Sequence, residues 1–325
     1  MGELSSEEVL IAGAGPIGLA CAISARRRGL GSLIADGGAL VNSIARYPIG
    51  MTFFTTPERL EIGGHPLSCS GQKATREEAL KYYRGVVRTE ELRVRTYTRL
   101  VGAQREDGAI VAELAVSRGT EQVRCRRLVV ATGYFDHPNP LGVPGEDLPH
   151  VSHYFDDPHF SSGRDVVVIG GKNSAAEAAL ELFRAGARVT LVHRRPQLGE
   201  TVKYWVKPDI ENRIKAGEIA ARFEAQVSRI EPQRVLITHD RKEEALPADR
   251  VYALTGYHPD FDLFRRLGIR LDEKTLRPVC DPATLETNVP GVYMAGSITR
   301  GRAISEVFIE NGRFDGEKIF AQNRA

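Results

Sequence analysis

The chain has 325 residues and a formal net charge of +2, with 42% hydrophobic and 26% charged residues. This length suffices for two domains with complete cores, and the balanced charge argues against a nucleic-acid or acidic membrane partner. No apolar run approaches the roughly 20 residues that cross a bilayer, and the polar, acidic start MGELSSEE predicts no secretory signal.

The first predicted element is a strand, a glycine-rich turn and a helix, in the sequence EVLIAGAGPIGLACAISARRRGLGSLIAD. Gly13 makes the tight turn in such a unit, Gly15 lets a pyrophosphate approach the backbone, and Gly18 lets the helix pack on the strand. Asp36 ends the second strand, where an acid hydrogen-bonds a ribose hydroxyl. Tight packing of helix on strand would explain the glycines but not Asp36. The unit therefore predicts a site for a dinucleotide with an unmodified adenosine ribose.

The residues that follow predict loops, one helix and a small sheet. Residues 37–66 are rich in glycine, proline and aromatic residues and lack a helical period, which indicates loops over a ligand. The apolar spacing of TREEALKYYRGVVRTEEL predicts a surface helix capped by Thr75. Residues 92–132 alternate as short strands and predict an antiparallel layer, whose last strand ends at Thr132 and Gly133.

A second strand–glycine–helix unit begins at Arg164, in the sequence RDVVVIGGKNSAAEAALELFRAGARVTLVHRR. Its first glycine is Gly170, and its second strand ends at His193, followed by Arg194 and Arg195. The offset from first glycine to the position that contacts the ribose is the same in both units, 36 − 13 = 23 and 193 − 170 = 23. Arginines at this position favour a ribose that carries a 2′-phosphate. One unit for a plain adenosine dinucleotide and one for NADP is the layout of a flavoprotein reductase.

The second glycine loop departs from the usual pattern, because Lys172 replaces its middle glycine. A side chain there can crowd the pyrophosphate, or its ammonium can pair with it. The two arginines independently indicate a phosphate and favour pairing. Arginines in a run can also be a solvated face, as is expected for residues 26–28 at a helix end. Arg194 and Arg195 instead follow a strand end, where guanidinium groups suit bidentate phosphate contact.

The chain returns to its first domain after the second unit. The segment RVYALTGYHPD repeats the strand–Thr–Gly ending of residues 128–133, here at Gly256, and ETNVPGVYMAG predicts a further strand. A helix is expected to start near Ala303. The fold class is therefore α/β with two Rossmann-like domains, one inserted into the other. The predicted bounds are 1–158 and 259–325 for the outer domain and 159–258 for the inserted one.

Several other residues have simple structural interpretations. The four cysteines, Cys21, Cys69, Cys125 and Cys280, are far apart and suit reduced thiols in a cytoplasm, with no metal-ligand spacing. Trp205, the only tryptophan, lies in a predicted helix, TVKYWVKPDIENRIKAG, and is expected in the core rather than at a ligand. His193 is placed to stack on adenine, whereas the histidines of residues 150–159 are expected in a proline-rich linker and not at a metal.

Several motifs along the chain together resemble one known family. They are VNSIARYPIGMTFFTTPERLEIGG, ATGYFDHPN, GVPGEDLPHVSHY, VVVIGGKNSAAEAALEL, VTLVHRR, TVKYWVKPDIENRI, ALTGYHPDF and ETNVPGVYMAG…FIENGR. The chain is similar, nearly end to end, to the bacillithiol disulfide reductases of the YpdA type, within the thioredoxin-reductase-like flavoproteins. The resemblance implies FAD in the outer domain, NADPH in the inserted one, a cytoplasmic homodimer or homotetramer, and reduction of a low-molecular-weight disulfide.

The resemblance also implies two sets of cofactor contacts in this chain. Those expected for FAD are Gly13, Gly15, Gly18, Asp36, Asn42, Tyr47, Thr132, Gly133, Gly296, Ser297, Ala303 and Ile304. Those expected for NADPH are Gly170, Gly171, Lys172, Asn173, Ser174, His193, Arg194, Arg195 and Gly256.

Two positions depart from the family pattern. Well-known members carry a cysteine in the first glycine-rich loop, where this chain has Ile17, and most of the wider superfamily carries an aspartate where this chain has Ser297. The thioredoxin-reductase Cys-x-x-Cys is absent as well. The sequence therefore predicts an NADPH-dependent FAD reductase with no assigned catalytic side chain. Its expected acceptor is a small disulfide. Reduction of a ferredoxin or flavodoxin is the alternative, and a redox sensor without useful turnover is the alternative of another class.

Overall fold

The computed structural model describes residues 5–321, so the first half of the segment MGELSSEE lies outside the described residues. Among them, the strands are β1 (Ser5–Ala12), β2 (Ser32–Ala35), β3 (Val94–Arg95), β4 (Arg99–Glu106), β5 (Ala109–Val116), β6 (Gly119–Val130), β7 (Val151–Ser152), β8 (Asp165–Ile169), β9 (Arg188–Val192), β10 (Ala220–Arg222), β11 (Gln226–Glu231), β12 (Arg234–His239), β13 (Lys242–Pro247), β14 (Arg250–Ala253) and β15 (Val292–Met294). The α-helices are α1 (Pro16–Arg26), α2 (Asn42–Ala45), α3 (Pro57–Leu60), α4 (Arg76–Thr89), α5 (Asn173–Arg184), α6 (Lys207–Lys215), α7 (Phe261–Arg266), α8 (Ile309–Gly312) and α9 (Asp315–Ile319). Short 3-10 helices span Pro158–Ser161, Gly296–Arg300 and Ile304–Glu306.

Two compact units make up the chain, and one interrupts the other. The first unit runs to Arg46, continues over Gly50–His137 and resumes at Tyr257, while the second contains Tyr47–Ile49 and Pro138–Gly256. The α/β class with one Rossmann-like domain inserted into another is confirmed. The predicted bounds at residues 158 and 258 stay a prediction; the compact units change over after His137 and at Tyr257.

The first unit is built on one sheet that is parallel in its centre and antiparallel at one side. The strand order is β3-β2-β1-β6-β5-β4, and β15 also pairs with β6. β1, β2, β3, β6 and β15 pair in parallel, whereas β4, β5 and β6 form the antiparallel layer. The carboxyl-terminal half of β1 is fully buried, as expected for a parallel strand covered on both faces. The predicted antiparallel layer is thus confirmed, except that β3 joins the parallel part.

The second unit contains a parallel sheet of order β10-β9-β8-β14-β7 and a separate antiparallel sheet of order β11-β12-β13. The apolar run of β8 is buried after its first residue, and α5 packs on β8 and β9 through its alanines and leucines. The glycine loop between β8 and α5 therefore lies at the carboxyl end of the parallel strands. Ligands bind at this edge in open α/β sheets.

The helix predicted in TREEALKYYRGVVRTEEL is confirmed as α4, whereas two other local expectations are wrong. Residues 37–66 contain α2 and α3, each four residues long, rather than loops alone. No helix starts at Ala303; residues 304–306 form one 3-10 turn, and Val307 returns to extended backbone. Thr75 caps α4 in a complete capping box with Glu78, as its sequence indicates.

Trp205 is not a core residue, because 48% of it is exposed. The predicted helix begins only at Lys207, so the segment before it is irregular. Val202, Val206 and Ile210 are the buried residues of this region instead. None of the helices within residues 5–321 is both long and apolar enough to span a membrane. The same residues contain no group of three or more side chains suited to hold a metal ion.

Candidate functional site

The first glycine loop joins β1 to α1, and its three glycines face different surroundings. A Cβ on Gly13 would overlap the carbonyl of Ala131 at the end of β6, and one on Gly18 would overlap the carbonyl oxygen of Gly13. A Cβ on Gly15 would meet no atom within 4 Å. Gly13 and Gly18 are therefore required for packing, whereas Gly15 leaves the backbone open to a ligand at the amino end of α1.

Asp36 lies at the end of β2 and is bonded to this loop. Its Oδ2 accepts from the Ala14 N–H at 2.6 Å, and its Oδ1 accepts from the Gly38 N–H at 2.7 Å. Burial raises the pKa of Asp36, and the two backbone bonds oppose this shift. Each carboxylate oxygen keeps a further lone pair. Asp36 can thus hold the glycine loop in place and still accept hydrogen bonds from a ribose.

Other residues expected at the flavin lie near the same strand ends. The Asn42 amide donates to Asp136 Oδ1 at 3.1 Å, and Arg46 pairs with the same oxygen at 3.3 Å. The Thr132 Oγ1 is buried and has no hydrogen-bond partner among the described residues. A buried hydroxyl without a partner, just after the carboxyl end of β6, is consistent with a polar ligand at this edge of the sheet. Tyr47, also expected here, groups with the second unit.

The turn after β15 contributes Gly296 and Ser297. Gly296 has φ +82°, and its N–H donates to Asp315 Oδ2 at 2.8 Å. A Cβ on Gly296 would lie 2.7 Å from Cδ1 of Ile17, which reaches the turn from the first residues of α1. Ser297 is buried, and Ala303 and Ile304 lie in the 3-10 region that follows.

The second glycine loop joins β8 to α5 and is more crowded. A Cβ on Gly170 would lie 2.6 Å from the Leu254 carbonyl oxygen. A Cβ on Gly171 would overlap the imidazole ring of His193, which therefore lies directly on this glycine. Lys172, in the place of the middle glycine, is exposed and precedes the first residue of α5. The ammonium of Lys172 is thus available at the amino end of the helix, where phosphates bind.

A segment after β9 is held against this loop and the start of α5 by three hydrogen bonds. The Gly199 N–H donates to the Gly171 carbonyl at 2.8 Å. The Asn173 side chain donates to the Thr201 carbonyl at 3.0 Å and accepts from the Lys203 N–H at 3.0 Å. Asn173 therefore holds the segment in place, while the next residue of α5, Ser174, is exposed.

Arg194 and Arg195 are exposed and make no ion pair within residues 5–321. Burial lowers the pKa of His193, and the charges of the two arginines lower it further. The end of β9 thus presents positive charge with no acid to neutralise it, which is the arrangement expected for an anion. Gly256, at the end of β14, has φ +89° and lies against the Asn139 side chain.

Sequence reasoning missed two acids, Asp136 and Asp315. Asp136 lies in the quoted motif ATGYFDHPN, so its place after a strand end was available as a signal. Asp315 lies 19 residues from Gly296 in sequence, and no local pattern connects them. Only the packing of α9 brings its carboxylate to the turn.

The cysteines do not form a reactive pair. All four are free, and Cys21 and Cys125 are buried. Burial raises the thiol pKa of Cys125 to about 12 and also raises that of Cys21. Burial likewise raises the pKa of Cys280. These three thiols are therefore protonated near neutral pH, and protonated thiols are poor nucleophiles.

Comparison with known proteins identifies the family. A family model of the pyridine nucleotide-disulphide oxidoreductases matches residues 10–296. Bacilliredoxin reductase Bdr of Bacillus subtilis is 41% identical over 318 residues, which cover 97% of this chain and 97% of the relative. The chain belongs to the pyridine nucleotide-disulphide oxidoreductase family. It is an NAD(P)H-dependent flavin disulfide oxidoreductase, and its cofactors are FAD and NADPH.

Solved structures agree with this assignment. The bacillithiol disulfide reductase Bdr (YpdA) of Bacillus cereus superimposes with a TM-score of 0.95 at 41% identity, covering 98% of this chain and 99% of that one. The corresponding protein of Staphylococcus aureus has a TM-score of 0.91 at 36% identity, covering 97% of each chain. The resemblance to this family is confirmed. A ferredoxin–NADP reductase of Ignicoccus hospitalis is 30% identical over 90% of this chain and 90% of its own length.

Proposed function

We propose that this protein uses NADPH and FAD to reduce the disulfide of a low-molecular-weight thiol, with bacillithiol disulfide as the preferred acceptor. The observation that carries the proposal is the similarity to the bacillithiol disulfide reductase Bdr (YpdA) of Bacillus cereus, at 41% identity and a TM-score of 0.95 over 98% of this chain. In the net reaction, NADPH and a proton reduce the disulfide to two thiols and NADP⁺ remains, so that two electrons pass from the dihydronicotinamide to the sulfur–sulfur bond.

The first unit is the proposed FAD site. Gly15 leaves its backbone open, and the amides at the start of α1 are placed to receive a pyrophosphate. Asp36 would accept from the adenosine ribose while its bonds to Ala14 and Gly38 hold it in place. Thr132, whose hydroxyl is buried without a partner among residues 5–321, would contact the flavin part. Gly133, Asn42, Gly296, Ser297, Ala303 and Ile304 complete this proposal, with Tyr47.

The second unit is the proposed NADPH site. Arg194 and Arg195 would bind the 2′-phosphate, since they are exposed and unpaired by acids among the described residues. The Lys172 ammonium would pair with the pyrophosphate. His193 would face the adenosine end, where its neutral ring lies on Gly171. Gly170, Asn173, Ser174 and Gly256 shape the rest of the site, Asn173 by fastening the segment that contains Thr201.

Bound FAD supplies the two-electron chemistry that links NADPH to the acceptor. The residues around it bind and orient the reactants, and we assign no side chain as a general acid or base. Ile17 cannot form a mixed disulfide, so we propose that reduction proceeds without a thiol from the glycine loop. The raised pKa values of Cys21, Cys125 and Cys280 support this proposal.

Ferredoxin or a small redox protein is the second candidate acceptor. It is favoured by the 30% identity to the ferredoxin–NADP reductase of Ignicoccus hospitalis over 90% of both chains. An acceptor of this kind needs no enzyme thiol, which is consistent with Ile17.

The experiment that tests the proposal is steady-state NADPH oxidation by the FAD-loaded protein with a panel of acceptors. We expect turnover with bacillithiol disulfide, and less turnover with glutathione disulfide, ferredoxin and flavodoxin. Turnover with ferredoxin alone would replace the proposed acceptor by the second candidate. Binding of both nucleotides with no turnover of any acceptor would favour a redox sensor. Gel filtration with light scattering would test the proposed homodimer or homotetramer, and cell fractionation the proposed cytoplasmic location.

A further inference from the structure

Asp315, on α9, is a buried carboxylate with only 7% of the residue exposed. A buried carboxylate is costly unless it is hydrogen-bonded or paired. Its Oδ2 accepts from the Gly296 N–H at 2.8 Å, and its Oδ1 lies 3.8 Å from the Lys318 ammonium. The carboxylate therefore has one buried partner in the turn after β15 and one cationic partner nearer the surface.

The turn that Asp315 contacts has little freedom. Gly296 adopts φ +82°, and a Cβ added at this residue would lie 2.7 Å from Cδ1 of Ile17. Gly312, the last residue of α8, also packs on Ile17, because a Cβ added there would lie 2.7 Å from the same atom. The turn is thus held by apolar contact from α1 and by one charge-assisted hydrogen bond from α9. The adjacent residue, Ser297, adds no charge of its own.

We propose that Asp315 is a positioning residue for the flavin, because its bond to the Gly296 N–H holds the Gly296–Ser297 turn in the conformation that FAD binding requires. The inference rests on the proposed placement of FAD at this turn in the first unit. Asp315 acts through Gly296 and is not itself a catalytic residue.

The surroundings of Asp315 favour this role over an activating role toward a thiol. Cys21 lies beside α9 and is fully buried, and burial together with the charge of Asp315 raises its thiol pKa. A carboxylate that stabilises the protonated thiol does not generate a nucleophile. Burial raises the pKa of Asp315, whereas the Gly296 N–H, Lys318 and Arg300 favour its charged form. The hydrogen bond from the Gly296 N–H therefore compensates part of the hydration that the Asp315 carboxylate loses on burial.

The test measures FAD release from the purified holoenzyme after dilution, followed by the rise of flavin fluorescence, together with the visible flavin spectrum. Asp315→Ala removes the acceptor, and we expect release about tenfold faster and a shifted flavin band. Asp315→Asn keeps an oxygen that can accept from Gly296, and we expect release within about twofold of the parent. Glu317→Gln is the matched control, because it removes the charge of an exposed carboxylate on the same helix and should leave release unchanged.

Two results would overturn the inference: equal release from the parent and Asp315→Ala, or equal acceleration by Asp315→Asn and Asp315→Ala. Should Asp315→Ala fail to fold, Asp315→Ser serves instead, since its hydroxyl is too short to reach Gly296; parental release from it would contradict the inference. A parent protein that binds no FAD would refute the proposed cofactor site itself, which is a distinguishable failure.

Discussion

The two glycine loops lie at equivalent strand ends, and each is followed at the same distance in sequence by the residue expected to contact a ribose. The surroundings of the glycines and of these residues nevertheless differ between the two loops. In the first loop Gly15 faces open space, and Asp36 is half-buried and held by two hydrogen bonds from backbone N–H groups. In the second loop the ring of His193 covers Gly171, and Arg194 and Arg195 are exposed. A short acid can be fixed by backbone amides before the ligand arrives. Long arginine side chains keep rotamer freedom until a phosphate orders them. We infer that the first site is ordered before its cofactor binds, whereas the arginines of the second become ordered only when a phosphate binds.

The largest effect should separate the two kinds of glycine in the first loop. Gly18→Ala places a Cβ on the Gly13 carbonyl oxygen, so we expect a loss of about 3 kcal/mol or more in the free energy of unfolding and no retained flavin. Gly15→Ala meets no protein atom within 4 Å, so we expect a parental melting temperature but weaker FAD binding. Thermal melts and the flavin-to-protein absorbance ratio measure both. Equal melting temperatures for the two variants would contradict this distinction.

The contrast in charge at the two ribose positions predicts the coenzyme preference. Replacing Arg194 and Arg195 by alanine should raise the apparent KM for NADPH by roughly 10- to 100-fold, because charge-assisted bonds to the 2′-phosphate are lost. The KM for NADH should change little, since that coenzyme has no such phosphate. Steady-state kinetics with both coenzymes decide the matter. Arg28→Ala, in the arginine run that ends α1, is the matched control. Equal losses for NADPH and NADH would assign the arginines to stability or docking.

Asp36→Ala should weaken FAD binding by about 1.5–3 kcal/mol, the range for a hydrogen bond to a charged group. Titration of the apoprotein with FAD measures this loss, and an unchanged affinity would show that Asp36 does not contribute to FAD binding.

The raised pKa of Asp36 also predicts a pH dependence. Because the folded state holds this proton more tightly than the unfolded state, the contribution of Asp36 to stability is fully present below its unfolded pKa. That contribution is lost as the pH rises through its folded pKa. As the pH increases across this window, the melting temperature of FAD-free Asp36→Asn should therefore rise relative to that of the FAD-free parent. A constant difference across the window would refute this linkage.

A smaller effect is expected at the covered glycine of the second loop. Gly171→Ala must displace the His193 ring, so the apparent KM for NADPH should change by a few-fold, on the order of 1 kcal/mol. His193→Ala makes room for the new methyl group, and the double variant should therefore behave like His193→Ala alone. Additive effects of the two substitutions would show that Gly171 and His193 act independently.

The smallest effect is expected from the thiols. Replacing all four cysteines by alanine should leave reduction of bound flavin by NADPH within about twofold of the parent, because three of the thiols have raised pKa values. Stopped-flow absorbance of the flavin and dye reduction measure this step. Slow flavin reduction in a folded, FAD-loaded variant would place a thiol in the central mechanism. Loss of disulfide turnover alone would instead reveal a thiol relay.

The sequence by itself determined the two nucleotide-binding units, their order and the insertion of one into the other. These features depend on local requirements, namely glycines at tight turns, apolar parallel strands and a charged residue at a fixed distance. All of these requirements can be recognised within one short segment of the sequence. The cap at Thr75 was predictable for the same reason, since both partners of the capping box lie within one helical turn.

Tertiary structure decided the features that join residues far apart in sequence. Asp315 meets Gly296 because α9 packs on α1, and Ile17 fills the space beside both Gly296 and Gly312. Trp205 is half-exposed although its neighbours in sequence Val202 and Val206 are buried, a choice that the apolar pattern of the segment does not make. The irregular turns after Gly296 likewise replace the expected helix at Ala303. At Asp315 and Ile17, packing against elements distant in sequence decides the arrangement, and the neighbouring residues in sequence carry no information about those elements.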